Sequence, residues 1–118
     1  MKKLSLCFLL LLVSYSADGE EITDESFVGK WCGKWDNVYS LCVTIDSIDS
    51  DAKAKYEWAE RADGELKQGQ KKIVRVNLNT LRLENIYFAL DENNPEQANA
   101  MGIFQIRTRL AKLTKSVQ

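Results

Sequence analysis

The sequence predicts an all-β chain, an antiparallel up-and-down meander of six to eight strands rolled into a small barrel or half-barrel. Three observations carry this. Two stretches, 27–35 and 39–45, alternate with period two, Phe, Gly, Trp, Gly, Trp on the odd positions of the first and Tyr, Leu, Val, Ile on those of the second, the period of a half-buried strand. Folding them about Asn37 produces one register that builds a continuous apolar face and apposes Cys32 and Cys42 on the other face; two unrelated constraints agree there. Turn residues then recur at short intervals, with a single proline and no long segment of helical period.

The chain opens on Met1-Lys2-Lys3, followed by a nearly unbroken apolar run from Leu4 to Val13 and the small residues Ser14 and Ser16. This is the layout of an export signal. It assigns 1–19 to a signal peptide, cleaved after Ser16 or Gly19, and 20–118 to a single domain. The run is shorter than the roughly 20 residues needed to span a bilayer, and no later segment approaches it, so no stable membrane insertion is expected. Loss of Lys2 and Lys3 leaves 14 basic against 17 acidic residues, a net charge of −3. Cys7 leaves with the signal. Cys32 and Cys42 then meet in an oxidising compartment, periplasmic or extracellular, where two thiols form a structural disulfide.

Within the domain, Ile22 to Ser26 is read as one turn of helix closing an end of the barrel. The first strand carries Phe27, Gly29, Trp31, Gly33 and Trp35 inward; the second carries Tyr39, Leu41, Val43 and Ile45. Asp36-Asn37-Val38 forms the loop that pairs Trp35 with Tyr39 and Trp31 with Val43. A turn at Asp49-Ser50 sets a third strand, 51–61, with Tyr56 against Val43 and Trp58 against Leu41. Outside, Lys53 meets Asp46 and Lys55 meets Thr44. Asp63-Gly64 is a turn, with a bulge expected around Leu66 to Gly69. A turn at Asn79-Thr80 pairs Leu78 with Leu81, Val76 with Leu83 and Arg75 with Glu84. Asn85 marks a bulge that aims Ile86, Phe88 and Leu90 inward. After the polar turn 91–96, one long strand from Ala98 to Leu110 turns Gly102, Phe104 and Ile106 one way and Arg107 and Arg109 the other.

Composition removes several kinds of chemistry. The absence of histidine excludes Ser-His-Asp and Cys-His catalysis and histidine metal sites. A formal net charge of −1 for the whole sequence gives no electrostatic case for nucleic acid. Asp46, Asp49 and Asp51 do not make a calcium loop, because Lys53 and Ala54 stand where a ligand and a glycine are needed. Glu57 and Glu60 fall on opposite faces of a strand, so they are not a catalytic pair. Neither a metal, a cofactor nor an enzymatic activity is expected.

What remains is aromatic. Trp31, Trp35, Tyr39, Tyr56, Trp58, Phe88 and Phe104 project inward, with Gly29, Gly33, Gly102, Ala52 and Ala54 leaving room beside them. Such a mixture of large and small side chains either fills a barrel or lines a pocket in it. Tyr39, Tyr56 and Trp58 have polar handles and share one end of their strands, and with Phe104 they are the candidate ligand contacts. Trp31 lies deeper and belongs to the floor.

Phe27-Val28-Gly29-Lys30-Trp31, opening the first strand of a meander, resembles the Gly-x-Trp signature of the lipocalins and the wider calycin group, which includes avidins and fatty-acid-binding proteins. The resemblance implies a barrel around a small apolar ligand, with Gly29 and Trp31 at its floor. It also implies a basic residue of the last strand packed over Trp31, a part open to Arg107 or Arg109. The expected function is therefore an exported binding protein for a small apolar or aromatic molecule. The alternative is a secreted or envelope interaction or inhibitor module with a filled core and a protein partner, acting through a sheet edge or through the loops 36–38 and 91–96.

Overall fold

A computed structural model describes residues 21–116; the export segment predicted at 1–19 lies outside the described residues. A single helical turn, α1 (Asp24–Phe27), precedes eight strands: β1 (Gly29–Trp35), β2 (Tyr39–Ile45), β3 (Lys53–Ala59), β4 (Leu66–Asn77), β5 (Thr80–Leu83), β6 (Ile86–Leu90), β7 (Gln97–Phe104) and β8 (Arg107–Lys115). Every strand pairs antiparallel with its neighbour in sequence, and β8 returns to β1, so the meander closes into a barrel.

The first three strands form in the expected register. Cys32 faces Cys42 and Trp35 faces Tyr39, and the two sulfurs are bonded. Asp36 and Asn37 take positive φ angles of 52° and 62°, a backbone that Asp and Asn tolerate better than most residues, which is why the loop reverses there. Tyr56 faces Val43, Trp58 faces Leu41 and Lys55 faces Thr44, but β3 is shorter than the predicted 51–61, and the ladder ends there: a loop over 46–52, with Asp51 at φ 68°, replaces the predicted turn at Asp49-Ser50 and the pairing of Asp46 with Lys53.

Three expectations change further along. No bulge interrupts β3 and β4, which pair without a break from Ala59 with Leu66 to Lys53 with Lys72. The β4–β5 register places Leu83 on Ile73, Leu81 on Arg75 and Thr80 on Asn77, rather than Leu83 on Val76. Apolar residues occupy both parities of 73–78, so period alone does not choose between them. Arg75 resolves the choice. Its guanidinium lies over the Phe27 ring and pairs with Asp24 at the barrel end, and it donates to the carbonyls of Asn77 and Leu78. Leu78 is left 66% exposed. At Glu84-Asn85 a two-residue turn joins β5 to β6, with Leu83 opposite Ile86. Ile86, Phe88 and Leu90 still point inward, but a chain reversal delivers them there.

The largest change is at the C-terminus. The predicted single strand from Ala98 to Leu110 is two strands, reversing at Gln105-Ile106 so that Phe104 faces Arg107 and Gly102 faces Arg109. Ile106, expected beside Phe104, sits at the tip with 85% exposure. The reversal lets β8 reach β1, with Leu113 opposite Gly33 and Lys115 opposite Trp31.

One end of the interior is plugged. Phe27, Trp31 and Phe88 are fully buried, and Trp31 meets Phe88 edge-on with centroids 5.1 Å apart, a favoured aromatic geometry. Trp31 Nε1 donates to the Phe27 carbonyl at 3.0 Å, which ties α1 over the opening. The basic residue over Trp31 is Lys115, with Nζ 5.0 Å from the ring and donating to the Ser26 carbonyl, not Arg107 or Arg109. No charged side chain among those described is buried, so apart from the hydrogen bonds of the Trp31 and Trp35 indoles the barrel centre is held by apolar contact.

Candidate functional site

The other end is open because the strands there are unequal. β5 pairs only with Ile73–Asn77 of β4, so the first half of β4, Leu66 to Lys72, has β3 as its sole strand partner. The β1–β2, β3–β4 and β7–β8 hairpins therefore stand around a mouth with a low wall on the β5 side. Asn85 closes the base of that wall, donating through Nδ2 to the Ile103 carbonyl at 3.2 Å and accepting the Ile103 amide on its own carbonyl at 2.8 Å.

The mouth holds a pocket of about 260 Å³ lined by Trp35, Tyr39, Tyr56, Trp58, Phe104 and the flanking Ala59, Glu60 and Arg109. All four predicted contact residues, Tyr39, Tyr56, Trp58 and Phe104, are brought together here. Gly29 and Trp31 lie toward the plugged end. Trp35 closes the bottom, 3% exposed, and meets Phe104 edge-on at 5.6 Å. Gly102 makes that contact possible, since a Cβ there would stand 2.6 Å from the Phe104 ring and 3.0 Å from that of Trp35. Tyr56 and Trp58, two apart on one face of β3, stack at 5.1 Å with 11° between their planes. The Lys71 ammonium lies over the Tyr56 ring at 5.5 Å and is hydrogen bonded to Asn85 Oδ1.

The polar groups of the mouth are few. Trp35 Nε1 donates to the Tyr56 hydroxyl oxygen at 2.9 Å. Burial pushes the Tyr56 hydroxyl above the usual phenol range, the hydrogen bond from Trp35 opposing this only in part, so the hydroxyl keeps its proton at neutral pH. The Arg109 guanidinium lies 4.7 Å from the Tyr39 ring centroid and donates through one terminal nitrogen to Asp36 Oδ2 at 2.7 Å. Asp36 Oδ1 in turn accepts the Leu110 amide. Glu60 is bonded to Lys67 at 2.7 Å on the outer rim, both side chains more than half exposed.

Sequence reasoning missed Arg109. On one continuous strand it falls opposite Gly102 and Phe104 in parity and points outward; the reversal at Gln105-Ile106 turns it to the mouth. Neither glycine nor proline marks that turn, so only the need to close the barrel onto β1 could have revealed it. Among the described residues, no group of three or more His, Cys, Asp or Glu side chains is placed to hold a metal ion. No family model, curated protein or solved structure matches this chain, so the lipocalin resemblance stands on Gly29-Lys30-Trp31 and the barrel architecture.

Proposed function

We propose that this chain is an exported, non-enzymatic binding protein that holds one small aromatic or apolar molecule in the mouth of its barrel. The observation that carries the reading is the division of the interior. One end is sealed by Phe27, Trp31 and Phe88, while the other leaves a concave space walled by five aromatic rings. Pockets that take small molecules are mostly apolar with a few placed polar groups, and this mouth matches that chemistry. Its volume of about 260 Å³ suits a compound of one or two rings rather than a long acyl chain. The bonded Cys32–Cys42 pair fits an oxidising compartment.

Trp35 and Trp58 line the pocket, so intrinsic fluorescence titrated with a library of one- and two-ring compounds tests the reading directly. Saturable change, lost in Trp58→Ala while the fold is kept, supports it. A flat response across the library, with no bound compound in native mass spectra of freshly isolated protein, overturns it.

One feature favours the interaction alternative. The outer face of the β7–β8 hairpin pairs Met101 with Leu110, 38% and 63% exposed, beside Ile103 and the tip residue Ile106. Replacing Leu110 by Lys leaves ligand binding intact under the first reading and abolishes partner capture under the second.

A further inference from the structure

We propose that the molecule held in the mouth is an aromatic acid, its ring against Tyr39, Trp58 and Phe104 and its anionic group read by the Tyr56 hydroxyl and the Arg109 guanidinium. This rests on the mouth being the binding site. A tyrosine hydroxyl both donates and accepts. Among the described residues the only partner of the Tyr56 hydroxyl is Trp35, and Trp35 uses the oxygen; the hydroxyl proton is left without an acceptor. In a residue only 5% exposed, a donor without a partner is costly, and an acceptor on a bound molecule removes that cost.

Arg109 adds to the same polarity. Of the guanidinium's five N–H groups, the described structure engages a single terminal nitrogen, on Asp36. The rest are free to meet a carboxylate from the mouth side. Asp36 does not reverse this preference, because one of its oxygens is bound by Arg109 and the other by the Leu110 amide. The only carboxylate lining the pocket, Glu60, is paired with Lys67 at 2.7 Å on the exposed rim. Lys71, whose ammonium lies 5.5 Å from the Tyr56 ring centroid, is paired with Glu84 at 4.0 Å and held by Asn85, so it leaves the balance unchanged. The wall therefore offers unused N–H and O–H donors to a ligand, and no unpaired carboxylate to a cationic one. Charge-assisted hydrogen bonds to tyrosine and arginine then add to ring stacking.

Three probes sharing one ring system test this: naphthalene-2-carboxylate, naphthalene and 2-naphthylmethylammonium, titrated at pH 7 by tryptophan fluorescence with calorimetry as a second readout. The carboxylate is expected to bind about tenfold tighter than the ammonium, with naphthalene between them, a ratio set by charged hydrogen bonds. Tyr56→Phe and Arg109→Gln should each remove most of the carboxylate's advantage while leaving naphthalene affinity within about twofold. Tyr56→Phe strands Trp35 Nε1, so near-ultraviolet circular dichroism verifies its fold, and Arg109→Gln keeps the test decisive if that variant fails to fold. An ammonium that binds as tightly as the carboxylate, or a carboxylate preference untouched by Arg109→Gln, overturns the acid assignment while leaving the mouth as a site. Failure of all three probes overturns the mouth itself.

Discussion

Closure of the barrel depends on how near β1 and β8 approach each other, and Gly33 sets that distance. A Cβ built on Gly33 would stand 2.1 Å from the Lys112 carbonyl oxygen and 2.8 Å from Leu113 Cδ2. The first of these is backbone, so no rotamer change relieves it. Gly33→Ala must move β8 away by roughly 1 Å, and enlargements that force backbone shifts cost about 1 to 3 kcal/mol. The upper end applies here, because β1 and β8 share only three residue pairs, Trp31 to Gly33 with Lys115 to Leu113, and the shift falls on one of them.

For a domain of this size, about 3 kcal/mol corresponds to a fall in melting temperature of roughly 12 to 24 °C. Gly69→Ala is the control. Gly69 also lies in a strand facing the interior, but its added Cβ meets only the Trp58 ring, at 3.7 Å and beyond, an ordinary contact. Replacing a strand glycine without a clash gains about 0.5 to 1 kcal/mol by restricting the unfolded chain. Thermal and urea melts followed by circular dichroism measure both variants. A Gly33→Ala protein melting within about 3 °C of the parent, less than 1 kcal/mol on the same scale, would refute the tight β1–β8 seam and with it the closed barrel.

Three further outcomes are expected. The Cys32–Cys42 bond spans 10 residues of sequence, for which the chain-entropy relation gives about 2.7 kcal/mol; reduction, or the double Cys→Ala variant, should lower the melting temperature by roughly 11 to 22 °C without changing the far-ultraviolet spectrum at 20 °C. Burial raises the Tyr56 pKa in the folded state, so its contribution to stability is complete below about pH 10, the unfolded value, and is lost as pH rises from there through the folded value; the urea midpoint should fall between pH 9.5 and 11 by less in Tyr56→Phe than in the parent. Trp31→Ala removes a fully buried ring at about 3 to 5 kcal/mol, a large share of the stability of a small domain, whereas Trp58→Ala, at the half-buried mouth, loses the stack on Tyr56, worth about 0.5 to 1.5 kcal/mol, and should lower the melting temperature by less than Trp31→Ala does while abolishing ring binding by calorimetry.

The sequence made the first half of the barrel legible because it gave two independent readings of the same register. Alternation between 27 and 45 fixes which residues face inward, and the cysteine pair fixes how β1 meets β2; an error in either would have separated Cys32 from Cys42. Between 73 and 90 no second constraint exists. Ile73, Val74, Val76 and Leu78 supply apolar side chains to both faces, and the deciding interaction, Arg75 with Asp24 and the Phe27 ring, joins residues far apart in the chain. Glu84 at φ 59° turns the chain where Asn85 invited a bulge instead. Local pattern identifies the strands there, but only the closed barrel selects their register.

The mouth shows the same division within a single site. Its aromatic wall was legible because hydrophobic periodicity marks inward residues wherever a strand is regular, and Tyr39, Tyr56, Trp58 and Phe104 all lie in regular strand. Its polar anchor was not, because a charged residue leaves no periodic trace and its direction follows from the turn before it. One reversal at Gln105-Ile106 moves Arg109 from the outer face to the Tyr39 ring and simultaneously carries Lys115 to Trp31. The turn that closes the barrel is therefore also the turn that sets charge at both ends of it. Inserting one residue into β8 between Arg109 and Lys115 would shift the parity of one against the other and set two demands against each other: either Arg109 leaves the mouth or Lys115 leaves Trp31, unless a bulge in β8 absorbs the extra residue.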